Sequence, residues 1–170
     1  LDVQIPEREL VYLTMFLCVS NEQIKQYTGI MVMAHGNSTA SSMSEVVNQL
    51  MNTDHCKALD MPLDMSTEIM LEKAVAMVKE IDEGKGVLLL TDMGSLTMMG
   101  ELIEQKTGIK VRTITLASTA IVLEALRKSL MQDMSLDEIY ADLKQTFQFL
   151  IKNQDEKNMG RIQHRIITTC

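Results

Sequence analysis

Two stretches of the chain set an ionisable side chain where an apolar run stops. In MVMAHGNSTASS (residues 31–42) His35, one of only three histidines, closes the run and is followed by glycine and a cluster of hydroxyl side chains. In GVLLLTDMGS (86–95) Asp92 takes the same place ahead of a turn-like Met-Gly-Ser. A carboxylate that accepts one ring N–H of an imidazole fixes the tautomer, turns the other nitrogen's lone pair outward and stabilises the positive charge that develops when that nitrogen attacks. Together, His35 would be a nucleophile and Asp92 its orienting group. A helix starting after His35 would offer backbone N–H groups, with the hydroxyls of Ser38, Thr39, Ser41 and Ser42, to an incoming anion such as a phosphoryl group. The helix end favours a neutral imidazole and Asp92 a protonated one, so the two influences oppose each other. Each residue also has a plain structural reading: His35 as a hydrogen-bonded strand end, Asp92 as a helix N-cap.

Other chemistries lack their residues. The chain has no GxSxG, GxxxxGK[ST] or GxGxxG, and the GKG at 84–86 precedes a strand, where it is a turn. Adjacent His55 and Cys56 point to opposite sides of an extended chain, which argues against a metal site shared with His35 and Asp92. Neither a metal nor a cofactor is expected.

For His35 and Asp92 to meet, two strand ends must be neighbours. IMVMA (30–34), CKALDM (56–61) and GVLLLT (86–91) are short apolar runs of the kind buried in parallel sheets, and IKVRTITL (109–116) alternates charged and apolar residues as an edge strand does. Helical spacing links Ala40, Met43, Val46, Val47, Leu50 and Met51, with Asn37, Ser38 and Thr39 as candidate N-caps. It recurs in Leu71, Ala74, Val75, Val78 and Ile81, ending by Gly84, and in Leu96, Met99, Leu102 and Ile103, ending by Gly108. Two more helices are predicted over 119–130 and 135–152. The resulting order, β-α-β-α-β-α-β-α-α, predicts an α/β fold with an open, mainly parallel four-stranded sheet and helices on both faces. With strand order 2-1-3-4, the switch point where such sheets bind ligands falls between the first and third strands, whose ends carry His35 and Asp92.

At 170 residues the chain accommodates one principal domain, expected over 28–152, with an N-terminal flank at 1–27 and a C-terminal linker and strand at 153–170. A net charge of −7 argues against a surface for nucleic acid. With no apolar run near the roughly 20 residues of a membrane span and no signal-peptide pattern, a cytoplasmic protein is expected. Cys18, Cys56 and Cys170 show no CxxC spacing and read as reduced thiols. Fifteen methionines against three Phe, three Tyr and no Trp predict a soft, polarizable core. A leucine start and an apolar, strand-like end make the chain read as a segment of something longer.

GIMVMAHGNSTASSM, ALDMPLDMSTEIMLEKAVAMV, KGVLLLTDMGSL and ITLASTAIVLEAL resemble, in this order over about residues 28–150, the IIA domain of the mannose class of the bacterial sugar phosphotransferase system. The resemblance implies that His35 accepts phosphate from the histidine phosphocarrier protein and passes it to a IIB partner, with Asp92 orienting the imidazole. Gly36, Asn37, Ser38, Thr39, Gly94 and Ser95 would surround the phosphoryl group. It also implies a homodimer, often joined by an exchanged C-terminal strand. Transport members usually carry Gly-Gly-Ser-Pro after the aspartate, whereas this chain has Met93-Gly94-Ser95-Leu96-Thr97. In that respect TDMGSL is more similar to the IIA-like domains of sigma-54-dependent activators of the levanase-operon regulator type. On that reading RIITTC resembles the first strand of a IIB-like module, with Cys170 after it; otherwise it is an edge or exchanged strand.

Overall fold

The computed structural model describes residues 6–20, 26–131 and 133–146. Its elements run α1 (Glu7–Ser20), β1 (Gly29–His35), α2 (Thr39–Met51), β2 (Cys56–Met61), α3 (Thr67–Ile81), β3 (Val87–Thr91), a 3-10 turn (Gly94–Met98), α4 (Met99–Thr107), β4 (Val111–Ile114) and α5 (Thr119–Ser129). A further helix, α6, is described over 136–146. The four strands form one parallel sheet in the order β2-β1-β3-β4, as the alternation of strands and helices predicts.

Each strand divides its side chains between two cores because successive residues face opposite ways. Ile30, Val32, Ala34, Leu88 and Leu90 pack with Ala40 and Val47 of α2, Val122 and Leu126 of α5, and Ile139 of α6. On the opposite face, Met31, Met33 and Leu89 pack with Met70, Ala74 and Val78 of α3, and Met99 and Ile103 of α4. The buried methionines therefore gather on one side, where their unbranched thioethers fill the space between helices and sheet. Helix α4 lies close to the sheet at Gly100, where any Cβ would land on the Thr113 hydroxyl.

Where α6 meets the rest, charge sets its position. Asp137 pairs with both Lys110 and Arg112 beside β4. On α5, Lys128 reaches Asp142 of α6 as well as Glu124. Arg127 beside Glu124 holds that carboxyl far below its ordinary range, at about 2. Burial pushes the Cys56 thiol up to about 11, an inert form consistent with a reduced structural cysteine.

Two local expectations need correction. The helix expected from Leu96 begins as a 3-10 turn, because Gly94 takes a left-handed φ of 64° and the Thr97 hydroxyl donates back to the Gly94 carbonyl at 2.8 Å, tightening the first turn. Ser38 occupies the N-cap position of α2 but makes no capping bond through its side chain, and neither Asn37 nor Thr39 caps in its place. That role belongs to Asp60. Residues 147–170, including His164, Cys170 and RIITTC, lie outside the described residues.

Candidate functional site

The site is assembled from the ends of the two central strands and the loops that follow. Parallel register sets Met33 opposite Thr91, which brings the next residues of β1 and β3 to the same edge of the sheet. The Asp92 N–H donates to the Met33 carbonyl at 3.2 Å, and its carboxylate turns back onto His35. Asp92 Oδ2 accepts the His35 backbone N–H at 2.8 Å, and both carboxylate oxygens lie 3.1 Å from His35 Nδ1. Residues 57 positions apart are thus in direct hydrogen-bond contact.

This geometry selects a tautomer. With Nδ1 facing an acceptor-only carboxylate, the ring proton belongs on Nδ1 and the Nε2 lone pair is free. Nε2 has no hydrogen-bond partner among the described residues, and the His35 side chain is 21% exposed. Partial burial works to raise the Asp92 carboxyl, but the backbone N–H groups of His35 and Met93 and the His35 ring outweigh it and hold the carboxyl below its ordinary range. It stays ionised near neutrality.

Glycines shape the walls. Gly36 has φ 110°, and a Cβ there would approach Thr39 Oγ1 to 2.8 Å, so the chain turns off β1 in a conformation that favours glycine. A Cβ on Gly94 would lie 3.6 Å from His35 Cε1, which places the Gly94 backbone against the ring. Ser95 lies instead in an apolar groove with Leu71, Met98, Met99 and Leu102 between α3 and α4.

The anion-binding capacity expected of residues 37–42 is narrower than the sequence suggests. Asp60, at the end of β2, accepts the N–H of Ala40 at 2.7 Å, the N–H of Ser41 at 3.3 Å and the Ser41 hydroxyl. Register with Ala34 delivers this carboxylate to the start of α2, where a negative charge is favoured by the helix dipole. The Gly36 N–H donates to the Met61 carbonyl at 2.9 Å. What remains is the turn itself: among the described residues the N–H groups of Asn37, Ser38 and Thr39 make no hydrogen bond. The pattern that marks His35 and Asp92, a charged side chain near the end of an apolar strand, also holds for Asp60. His55 is remote in role: its Nε2 bonds the Thr28 carbonyl at 2.8 Å and its ring meets Tyr27 edge-on.

A parallel open sheet in the order β2-β1-β3-β4, with a histidine–carboxylate pair where the strand order reverses, defines an α/β domain whose candidate site lies at the switch point. Residues 29–144 match the family described as PTS system fructose IIA component, EIIA-man, and the chain belongs to that family. It is 44% identical over 146 residues to the transcriptional regulatory protein LevR of Bacillus subtilis (strain 168), covering 85% of this chain and 16% of LevR. The transcriptional regulatory protein DagR of Salmonella typhimurium (strain 14028s / SGSC 2262) is 31% identical over 120 residues, 65% of this chain and 12% of DagR. The chain thus spans less than a fifth of either regulator. Among solved structures, a sigma-54 interaction domain protein from Enterococcus faecalis superposes with a TM-score of 0.72 at 39% identity, over 76% of this chain and 97% of that one. The phosphotransferase system component EIIA from Streptococcus agalactiae shares the fold, with a TM-score of 0.58 at 17% identity over 69% and 90% of the two chains. No helix among the described residues is long and apolar enough to cross a membrane.

Proposed function

We propose that this domain is a phosphohistidine-bearing regulatory module, phosphorylated on His35 Nε2 by the histidine phosphocarrier protein. The observation that carries the reading is the 3.1 Å contact of Asp92 with Nδ1, which leaves Nε2 as the outward nucleophile. In the transfer the Nε2 lone pair attacks phosphorus in line while the P–N bond to the donor's protonated imidazole breaks. The donor ring keeps that electron pair and leaves neutral; His35 becomes an N-phosphorylated imidazolium whose charge faces Asp92. No proton moves. The unpaired N–H groups of Asn37, Ser38 and Thr39 would receive the phosphoryl oxygens, with Gly36 shaping their turn and the Gly94 backbone against the ring.

The 44% identity to a segment of LevR supports use in transcription regulation in the cytoplasm rather than in sugar uptake. A phosphoryl group adds about two negative charges at the sheet edge, enough to bias a homodimer or a contact with a IIB-like domain. Such a switch would couple sugar metabolism to a sigma-54-dependent activator.

Incubation of the whole protein with phosphoenolpyruvate, enzyme I and the carrier protein is expected to give an acid-labile label that His35→Ala abolishes. Absence of label on the wild type would refute the reading. Label that survives in His35→Ala would assign the site to another histidine, His55 or His164.

A further inference from the structure

Among the described residues two that are not glycine have a positive φ, Asn52 at 51° and Leu116 at 61°. Asn52 closes α2 as a left-handed C-cap, a conformation that asparagine tolerates. Leucine does not: its Cβ crowds the backbone there, and a bulky residue in this region is a true outlier. Packing does not account for it, since Leu116 is 58% exposed. Its backbone does not account for it either. The N–H of Leu116 donates to the Asp92 carbonyl at 3.2 Å and the next N–H to the Thr91 carbonyl at 2.8 Å, bonds that a glycine at 116 would permit equally. What a glycine would lack is the side chain, standing on the loop that is bonded to the residue orienting His35.

Leu116 has counterparts. Leu63, 88% exposed, lines a hollow with Gly36 and Asn37, and Met93, 61% exposed, directly follows Asp92. Three of the four loops at this edge of the sheet therefore carry a large exposed apolar side chain beside the site; the fourth follows His35 itself. Exposed apolar side chains gathered around a polar centre mark a protein contact. Charge narrows the partner further. None of the segments 36–38, 62–66, 92–98 and 115–118 contains Lys or Arg, while they include Asp64 and Asp92. Apart from the His35 ring itself, a phosphoryl group carrying about two negative charges meets no cationic side chain in these loops, so a donor with cationic side chains fits them.

We infer that Leu116 is a specificity-determining residue for the phosphoryl donor: with Leu63 and Met93 it forms the apolar rim on which a donor protein seats, one that carries cationic side chains beside its phosphoryl group. The strained backbone at 116 persists because it holds that side chain on the rim. This inference rests on phosphotransfer to His35, and the test separates the two.

The whole protein is labelled in parallel from the phosphorylated carrier protein and from phosphoramidate, a small donor that needs no rim. In Leu116→Gly and Leu116→Asn, both compatible with a left-handed φ, the ratio of carrier-dependent to phosphoramidate-dependent rate is expected to fall about tenfold or more, as for loss of an interface anchor. In Leu116→Met, which keeps an apolar side chain, it should stay within about threefold of wild type. The thermal midpoint of Leu116→Gly should equal or exceed that of wild type, because the strain is relieved. An unchanged ratio in the glycine and asparagine variants, with wild type labelled by both donors, overturns the rim and leaves the phosphohistidine intact. A midpoint lowered by more than about 3 °C in Leu116→Gly also overturns it, since the leucine would then serve packing. Wild type labelled by neither donor removes both.

Discussion

Replacing Asp60 with alanine is expected to destabilise the domain by about 2 kcal/mol, mainly through the helix it caps. The carboxylate accepts from the Ala40 N–H at 2.7 Å, the Ser41 N–H at 3.3 Å and the Ser41 hydroxyl. A hydrogen bond to a charged group contributes about 1.5–3 kcal/mol, and a charge at a helix N-terminus about 0.3–1 kcal/mol more. Ser41 is exposed, so water replaces its bonds in the variant; Ala40 is buried, so its N–H loses more. Those opposite tendencies keep the total near the lower end of the sum. Asp60→Asn retains an acceptor without the charge and should cost about 1 kcal/mol. Urea titration followed by circular dichroism measures both; at this chain length the alanine variant's thermal midpoint should fall by about 4–8 °C. The vacated N–H groups should also make sulfate more stabilising for Asp60→Ala than for wild type. An alanine variant within about 0.5 kcal/mol of wild type, or an asparagine variant as damaged as the alanine one, would refute the charged-cap argument.

Thr91 is fully buried and its hydroxyl has no hydrogen-bond partner among the described residues, so the isosteric Thr91→Val should raise stability by about 1 kcal/mol in the same titration. Gly100→Ala should destabilise by about 1–3 kcal/mol although alanine is the better helix former, because its methyl meets the Thr113 hydroxyl; adding Thr113→Ala should recover most of the loss. For pH, the folded Glu124 carboxyl is lowered from 4.5 to about 2, so between these values the unfolded chain binds more protons and stability rises with pH. That contribution is complete above pH 4.5 and lost as pH falls toward 2; Glu124→Gln should flatten the stability profile in this window.

The fold was legible because the two central strands are apolar on both faces, the edge strands carry charge and each helix is apolar on one face only, and a chain so patterned has few ways to close a sheet. His35 and Asp92 were legible for a related reason: a charged residue directly after a buried run must sit at the sheet edge, and strand order decides which such residues meet. The cap of α2 was not legible from local sequence. Ser38 has the right chemistry and position, but Asp60 arrives through parallel pairing with β1, 20 residues further along the chain, and brings a full charge. Leu116 was hidden for a different reason. A leucine in TLAS reads as one more apolar residue near a strand end, and its left-handed backbone is visible only once the loop folds back onto Thr91 and Asp92.

Asp60 and Asp92 act on one segment from opposite sides. β1 lies between β2 and β3, and each flanking strand ends near a carboxylate that reaches the continuation of β1: Asp92 takes the N–H of His35, Asp60 those of Ala40 and Ser41. The segment 35–41 is thereby pinned at both ends, and the Gly36 N–H is taken by Met61. Of this segment's N–H groups, those of 37–39 have no partner among the described residues and are left for an anion. Two fixed negative charges bracketing so small a cradle disfavour a free dianion, whereas, on the proposed reading, a phosphoryl group bonded to Nε2 would be held covalently and would share its site with a positive ring facing Asp92. On the phosphohistidine reading, a site arranged in this way is expected to bind free phosphate weakly and to retain a phosphoryl group once it is bonded to His35; tight binding of inorganic phosphate to the unphosphorylated protein in calorimetry would refute this argument.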